Sequence, residues 1–254
     1  MKLARVVVAG AIHTAYPVVD QPQLLQLANG RVVNANDVQW LPPVAVRTLI
    51  ALGLNYADHV KELAKELTVT QHDEPLVFLK GPNSLVGHKG QSCKPPDVQH
   101  MHYECELAVV IGRTAKHVTA AHALDHVMGY TICNDYAFRE YLENWYRPNL
   151  RVKNRDQCTA LGPWLVTADE VPNPQALNLR TTVNGKVVQQ GNTAHMIHGV
   201  AELIAYLSGF MTLEAGDIIL TGTPDGVTPV AVGDEVVTAI DGLGELTNHV
   251  VSTP

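Results

Sequence analysis

Short apolar runs rich in β-branched residues follow one another along almost the whole sequence, and glycine, proline or asparagine closes each of them. Runs of about four to eight such residues between turn formers are typical of β-strands. The sequence therefore predicts a mainly β fold. The predicted strands lie at 6–11, 77–80, 107–111, 130–133, 179–183, 218–220 and 235–240.

Asn184 and Gly185 stand between two of these apolar runs, 179–183 and 187–190. Both residue types accept the positive φ angles that a type I′ turn requires. The pair therefore predicts a tight β-hairpin.

Helical periodicity is rare in this chain. Residues 59–67 form one candidate helix, and apolar residues recur at helical spacing from 197 to 207 behind a candidate cap at Asn192 or Thr193. We therefore expect few helices, and short ones.

Pro42 and Pro43 interrupt the chain after a first β-like segment. They predict a small N-terminal β appendage at residues 1–45 and a main domain at 46–254. With 254 residues, 46% of them apolar, the chain can bury a core that needs no disulfide or structural metal.

The charge and hydropathy of the chain argue against two classes of partner. With 18 basic and 25 acidic residues, its net charge of −7 would repel a nucleic-acid backbone. Its longest apolar runs have the length of strands, well below the ~18 residues of a membrane span. Four cysteines without a C-x-x-C pair predict free thiols, and hence a cytoplasmic protein.

Two carboxylates precede an apolar run in the middle of the chain. On a strand, Glu104 and Glu106 point to the same face while Cys105 points away. Two buried like charges are costly unless a cation offsets them, and carboxylate oxygens suit Mg²⁺ or Mn²⁺ better than Zn²⁺. The alternative is an exposed strand edge with two solvated glutamates. Asp135, at the end of another run, is either a third ligand or an ordinary turn residue.

His59 and Glu62 lie three residues apart at the start of the first candidate helix. On a helix they share one face, where the carboxylate can orient the imidazole and raise its basicity. The pair is either an acid–base dyad or part of a solvated helix surface.

Basic residues are concentrated between positions 139 and 155 of an otherwise acidic chain. Guanidinium groups bind carboxylates through two parallel hydrogen bonds, so such a cluster beside a metal favours a small substrate with several carboxylates. Pairing with acidic residues of the same segment is the alternative. The cluster comprises Arg139, Arg147, Arg151, Lys153 and Arg155.

Seven motifs, taken in order, resemble the fumarylacetoacetate hydrolase family from about residue 46 to the C-terminus. The resemblance implies a β-rich fold of mixed sheets rolled into a sandwich, with few short helices, one of them a lid helix. It also implies a homodimer or higher homo-oligomer, with a second related subunit as another option. The motifs lie at 53–59, 78–84, 103–112, 129–139, 162–164, 183–193 and 221–224.

The same resemblance implies a site that binds Mg²⁺ or Mn²⁺ and needs no organic cofactor. Combined with the basic cluster, it gives a full set of predicted site residues. These are the metal ligands Glu104, Glu106 and Asp135, the catalytic groups His59, Glu62 and Lys153, and the substrate contacts Lys80, Arg139, Arg151, Gln189 and Thr223.

Within the family, residues 134–156 are most similar to a branch of double-length isomerase/decarboxylases, particularly to their C-terminal half. That branch decarboxylates 5-oxopent-3-ene-1,2,5-tricarboxylate and isomerises 2-hydroxyhepta-2,4-diene-1,7-dioate in 4-hydroxyphenylacetate (homoprotocatechuate) catabolism. Leu142 replaces a glutamine that acylpyruvate-hydrolysing members often carry, and Glu140 replaces the usual aspartate. The rival functions are hydrolysis of a C–C bond in an acylpyruvate or a fumarylacetoacetate-like substrate, and a non-catalytic metal-binding β-domain.

Overall fold

The computed structural model of the chain describes residues 1–58, 60, 74–142 and 149–253. These parts are mainly β, which confirms the predicted fold class. The strands are β1 (Lys2–Val8), β2 (Ala11–Val18), β3 (Gln21–Leu27), β4 (Val32–Asn34), β5 (Gln39–Leu41), β6 (Leu49–Gly53), β7 (Leu76–Lys80), β8 (Leu85–Val86), β9 (Gln91–Lys94), β10 (Met101–His102), β11 (Cys105–Ile111), β12 (Val127–Asp135), β13 (Ala137–Phe138), β14 (Thr159–Thr167), β15 (Asn178–Val183), β16 (Lys186–Asn192), β17 (Ile218–Leu220), β18 (Glu235–Ile240) and β19 (Gly244–Ser252).

Helices in the described ranges are few and short. The predicted helix at 59–67, which carries His59 and Glu62, lies outside the described residues apart from Val60. None of the described helices is long and apolar enough to cross a membrane. The helices are α1 (Ala120–Ala123), α2 (Leu150–Lys153) and α3 (Val200–Phe210), with 3₁₀ turns at Pro82–Ser84, Leu124–His126, Arg139–Tyr141, Ala168–Glu170 and Thr193–His195.

Twelve strands form the largest sheet. Its order is β4-β3-β2-β1-β14-β12-β11-β17-β6-β7, with β5 beside β1 and β8 beside β14. A second sheet has the order β16-β15-β18-β19-β9, and β10 pairs with β13. Most neighbours are antiparallel, but three pairs of the described strands are parallel, namely β6 with β17, β8 with β14, and β9 with β19. The sheets are therefore mixed, as the family resemblance implies.

Strand β11 lies inside the largest sheet, and all of its residues are buried. Successive side chains of a strand point to opposite faces. Leu107 and Val109 join the core that contains the apolar face of α3, whereas Ala108 and Val110 join a second core on the opposite face. A strand covered on both faces reads as an unbroken apolar run rather than as an alternating pattern.

Strands β15 and β16 form the predicted hairpin. Asn184 and Gly185 connect them with φ angles of 50° and 77°, and Val183 pairs with Lys186 across the turn. Both central residues thus have the positive φ of a type I′ turn. The hairpin prediction is confirmed.

The predicted strand at 6–11 is wrong in its extent. Strand β1 ends at Val8, and Ala9 and Gly10 turn the chain into β2 with φ angles of 49° and 80°. The apolar run therefore spans the end of one strand, a tight turn and the start of the next.

The predicted cap of α3 is also wrong. The Asn192 side chain accepts a hydrogen bond from the Ala194 N–H and caps a separate 3₁₀ turn. Helix α3 begins later, after Gly199, whose N–H donates to the Glu202 carboxylate at 2.9 Å. The helical spacing had merged two short elements into one.

The N-terminal strands β1–β5 surround a small core of their own that contains Trp40. Strand β1 also pairs with β14 through Lys2 and Leu3, and so extends the largest sheet. The division into an appendage at 1–45 and a main domain at 46–254 stays a prediction.

Candidate metal centre

Three carboxylates meet where β11 and β12 pair. Glu104 lies just before β11, Glu106 is the second residue of β11, and Asp135 is the last residue of β12. The register sets Cys105 opposite Asn134, and the Asp135 N–H donates to the Glu104 carbonyl at 2.9 Å. One oxygen from each carboxylate lies within 4.8 Å of the other two, and all three side chains are buried. The fold thus brings the three predicted ligands together.

Glu106 is almost completely buried, with 1% of its surface exposed. Its Oε2 accepts a hydrogen bond from the Gly222 N–H at 2.7 Å. Burial, and after it the neighbouring Asp135 carboxylate, raise the pKa of Glu106 well above its ordinary value. The surroundings disfavour the carboxylate anion here, and a bound cation would reverse that preference.

Two buried lysines contact these carboxylates. Lys153, at the end of α2, donates from Nζ to Glu104 Oε2 at 2.5 Å and to Asp135 Oδ2 at 2.8 Å. Lys80, at the end of β7, donates to Asp135 Oδ1 at 2.5 Å and to the Lys153 carbonyl. Burial by itself would lower the pKa of Lys153, but the surrounding carboxylates outweigh burial and raise it. The Lys153 side chain is therefore a cation at neutral pH.

Arg139 contributes a third positive charge. Its Nη2 donates to Glu104 Oε1 at 2.8 Å, and its Nε donates to His102 Nδ1 at 3.3 Å. Burial, and after it the positive charge of Arg139, lower the pKa of His102 to about 4, so the imidazole is neutral at neutral pH. Two predicted substrate contacts, Lys80 and Arg139, therefore lie at the carboxylates.

The Gln189 side chain holds the loop after β17 against β11. Its Oε1 accepts from the Cys105 N–H at 3.4 Å, and its Nε2 donates to Thr223 Oγ1 and to the Pro224 carbonyl, both at 2.9 Å. Both amide hydrogens are thus used inside the protein. Gln189 and Thr223 lie together and fix the loop that carries Gly222.

Asn55 ties the same loop to the segment before α3. Its Nδ2 donates to the carbonyls of Thr221 at 2.8 Å and His198 at 3.0 Å, and its Oδ1 accepts from the His198 N–H at 2.9 Å. Asn55 lies between β6 and the predicted dyad at His59. One side chain therefore joins three segments around the candidate centre.

Arg151 lies apart from the carboxylate cluster. It shares α2 with Lys153, but residues two positions apart on a helix do not face the same side. Its guanidinium carbon is 4.3 Å from the Tyr141 ring centroid, and that of Arg155 is 4.6 Å from the same ring. The predicted substrate contact at Arg151 stays a prediction.

The family model described as fumarylacetoacetate (FAA) hydrolase C-terminal matches residues 48–251. The chain belongs to this family. The resemblance read from the seven motifs is thereby confirmed.

Relatives in this family are named as isomerase/decarboxylases and as oxaloacetate tautomerases. A 4-hydroxyphenylacetate degradation bifunctional isomerase/decarboxylase from Salmonella dublin is 55% identical over 210 residues, which cover 83% of this chain and 48% of that protein. A human mitochondrial oxaloacetate tautomerase is 40% identical over 229 residues, which cover 87% of this chain and 72% of that protein. The chain spans about half the length of the bacterial isomerase/decarboxylases that it matches.

Solved structures of the family share the fold along the full chain. The 5-carboxymethyl-2-hydroxymuconate delta-isomerase from Mycobacterium smegmatis is 36% identical and superposes with a TM-score of 0.86, covering all of both chains. This similarity supports the fold, including the order of strands in its sheets.

The three buried carboxylates of this site fit a divalent cation. All three candidate ligands offer carboxylate oxygens, the donors that hard cations prefer. They come from paired strands whose register fixes their spacing. Within the described ranges, Glu104, Glu106 and Asp135 form the one group of acidic, histidine or cysteine side chains close enough to share an ion.

Several groups that shape this family site escaped sequence reasoning. Asn55 and His102 act through contacts with residues far away in the sequence, which no local pattern shows, whereas Gly222 lies in the motif at 221–224. Tyr56 is 2% exposed, its hydroxyl has no hydrogen-bond partner among the described residues, and burial raises its pKa. The motif at 53–59 was the one sequence signal that included Asn55 and Tyr56.

Replacing Gly222 with alanine is expected to weaken both the fold and the metal site. Gly222 has a φ of +88°, and an added Cβ would lie 2.9 Å from the Cβ of Asn55. Left-handed backbone and this clash together should cost about 1–3 kcal/mol of unfolding free energy. Because the Gly222 N–H supports Glu106, Mg²⁺ affinity should fall by about tenfold or more. Urea denaturation and calorimetric Mg²⁺ titration measure the two effects.

Gly209→Ala is the matched control for this substitution. Gly209 lies in α3, has no atom within 4 Å of an added Cβ, and does not have a positive φ. Alanine should stabilise that helix by roughly 0.5–1 kcal/mol and leave metal affinity unchanged. Equal Mg²⁺ affinity in Gly222→Ala and Gly209→Ala would contradict the supporting role of Gly222.

Proposed function

We propose that the chain decarboxylates 5-oxopent-3-ene-1,2,5-tricarboxylate, isomerises the product 2-hydroxyhepta-2,4-diene-1,7-dioate, or does both, in 4-hydroxyphenylacetate catabolism. The observation that carries the proposal is the buried cluster in which Glu104, Glu106 and Asp135 meet the Lys153 ammonium. Its support from comparison is the 55% identity to an isomerase/decarboxylase of that pathway.

Mg²⁺ or Mn²⁺ is the proposed metal, with Glu104, Glu106 and Asp135 as its ligands. When bound, such an ion supplies Lewis-acid polarisation of the keto oxygen and neighbouring carboxylate of a 2-oxo acid. Hard oxygen ligands favour these ions over zinc, which prefers nitrogen and sulfur.

The charges around the carboxylates favour a substrate with at least two negative charges. Three carboxylates face three cationic side chains, those of Lys80, Lys153 and Arg139. These formal charges cancel, so a divalent ion would leave two positive charges to be offset. A dicarboxylate or tricarboxylate substrate provides that charge, whereas a monocarboxylate provides only half of it.

Lys153 supplies positive charge rather than a base. Its raised pKa keeps Nζ protonated at neutral pH, so it can donate a hydrogen bond to negative charge that develops on the substrate. His59, oriented by Glu62, is the group we assign to proton transfer at carbon. Both residues of this dyad lie outside the described part of the chain.

The predicted substrate contacts differ in their surroundings, and we assign their roles accordingly. Lys80 and Arg139 lie beside the carboxylates, where positive charge can attract the substrate. Gln189 uses both amide hydrogens inside the protein, so we assign it to positioning Thr223 rather than to direct binding. Arg151 remains assigned to substrate from its place in the basic segment.

The remaining assignments concern organisation and compartment. The main domain at 46–254 is the catalytic unit and the segment at 1–45 is its appendage. The chain acts as a homodimer or higher homo-oligomer, with a second related subunit as the alternative. Its four cysteines are all free thiols, which suits a reducing cytoplasm. Light scattering of the purified chain tests the assembly.

Product analysis tests the reaction. The purified chain is incubated with Mg²⁺ or Mn²⁺ and the tricarboxylate, while CO₂ release and the ultraviolet absorbance of the dienol are followed. Release of CO₂, or loss of dienol absorbance when the decarboxylated product is supplied, is the expected result. The same protein stripped of metal with a chelator is the control.

Two outcomes contradict the proposed reaction. Cleavage of an acylpyruvate or of fumarylacetoacetate into two acids, without CO₂, would establish a C–C hydrolase. Absence of any turnover by a folded, Mg²⁺-binding protein would favour the non-catalytic metal-binding domain.

A further inference from the structure

In the sequence, His102 lies two residues before the candidate ligand Glu104 and two residues after the exposed His100. Its ring contacts Arg139. The Arg139 Nε donates to His102 Nδ1 at 3.3 Å while Nη2 of the same guanidinium donates to Glu104 Oε1 at 2.8 Å. These two acceptors fix both the position and the plane of the guanidinium. Arg139 is thus held in place before any ligand arrives.

This contact decides which ring nitrogen carries the proton. An arginine Nε can only donate, so His102 Nδ1 is the acceptor in this contact, and the ring carries its hydrogen on Nε2. That Nε2 is buried and has no hydrogen-bond partner among the residues the structure describes. A buried donor without an acceptor is costly and uncommon, and such groups often mark functional sites.

We propose that His102 is a specificity-determining residue whose Nε2–H, together with the Arg139 guanidinium, binds a carboxylate of the substrate that is remote from the keto group. The inference rests on the proposed function, because it extends the same site to a second carboxylate. His102 acts at two points: Nδ1 positions Arg139, and Nε2–H contacts the ligand.

A carboxylate is the acceptor that this pair fits best. The Arg139 charge favours an anion, and a planar carboxylate can accept hydrogen bonds from neighbouring donors at the same time. Nη2 of Arg139 donates to Glu104, and among the residues that the structure describes Nη1 has no hydrogen-bonded acceptor, so the guanidinium keeps N–H groups for a ligand. The Nε2–H of a ring held at Nδ1 by Arg139 adds a second hydrogen bond of fixed direction.

Two isosteric variants separate the two functions of the ring. In His102→Asn, the amide oxygen takes the place of the Nδ1 acceptor, but the N–H at the ε position is lost. In His102→Gln, the amide nitrogen takes the place of the Nε2 donor, but the δ acceptor is lost. His100→Asn is the matched control, because the His100 ring is 6.4 Å from that of His102, is exposed, and binds Glu140.

The test measures binding of three probes by calorimetry in saturating Mg²⁺. 2-Oxoglutarate and 2-oxovalerate have the same chain length and differ only in the remote carboxylate, and oxalate reports on the metal alone. The wild type and His100→Asn should prefer 2-oxoglutarate. His102→Asn should lose about tenfold or more of that preference, while oxalate affinity stays the same. His102→Gln should retain more of the preference than His102→Asn.

A merely structural role would weaken both 2-oxo acids equally and leave their ratio unchanged. An unchanged ratio in His102→Asn, with normal oxalate binding and a normal melting temperature, would overturn the inference. If His102→Asn does not fold, His102→Gln is compared with His102→Leu. The inference would be overturned if the preference of His102→Gln for 2-oxoglutarate over 2-oxovalerate did not exceed that of His102→Leu. Failure of the proposed reaction would give a different result. The wild type would then release no CO₂ and form no isomer, but it would still bind 2-oxoglutarate more tightly than 2-oxovalerate.

Discussion

Glu106→Gln is expected to reduce Mg²⁺ affinity by more than about 100-fold, beyond the range typical of changes outside the ligand shell. The amide has nearly the shape of the carboxylate, and its oxygen can still accept the Gly222 N–H at the position now 2.7 Å away. It lacks the negative charge, however, and two carboxylates make a poor site for a cation that demands octahedral coordination. Calorimetric titration with Mg²⁺, repeated with Mn²⁺, measures the loss.

The fold should survive this substitution. Burial and Asp135 already disfavour the ionised form of Glu106, so a neutral amide removes an unfavourable charge from the metal-free protein. Glu245→Gln is the control, because Glu245 is 58% exposed and pairs with Arg180 at the surface. Unchanged Mg²⁺ affinity in Glu106→Gln would remove Glu106 from the ligand set.

Lys153→Met is expected to lower the free energy of unfolding of the metal-free protein by about 3–5 kcal/mol, the usual cost of breaking a buried ion pair from one side. Lys153 is 6% exposed and contacts both Glu104 and Asp135, so its loss leaves two buried carboxylates with less compensation. Methionine fills similar space without charge. Mg²⁺ at 100 times its Kd should restore about 2.7 kcal/mol.

Urea denaturation without and with Mg²⁺ measures the loss of unfolding free energy in Lys153→Met and its recovery on metal binding. Turnover by this variant should be lost even at Mg²⁺ concentrations that restore its stability. Lys116→Met, at an exposed lysine, is the control for the substitution itself. Metal-free stability equal to that of the wild type would mean that Lys153 does not compensate the carboxylates.

Local patterns in the sequence predicted the hairpin and strands such as β11, β12 and β17, but they missed others, including β6, β14 and β19. Apolar runs and the Asn184-Gly185 pair report backbone preferences that tertiary packing does not reverse. Boundaries were less predictable, because a run such as 6–11 hides a two-residue turn, and helical spacing before Val200 merged a 3₁₀ turn with α3. Both errors arise where two short elements share one apolar pattern.

The candidate site was predictable where strand alternation decides it. Glu104 and Glu106 share a face because they are two residues apart, and Asp135 joins them through the pairing of β11 and β12. The motif at 221–224 included Gly222, but its hydrogen bond to Glu106 was not predictable, and neither was the contact of His102 with Arg139, since both are made across the fold. Composition and spacing carry no information about such contacts.

The amide of Asn55 has a consequence for how the protein opens. Two donors and one acceptor of a single planar group hold the Thr221 carbonyl and both backbone groups of His198. Neither segment can move away without breaking a bond that also restrains Asn55 itself. Local unfolding of this region is therefore cooperative, and the amides near His198 and Gly222 belong to one exchange unit. The stretch that leads to His59 loosens only when the loop supporting Glu106 loosens with it.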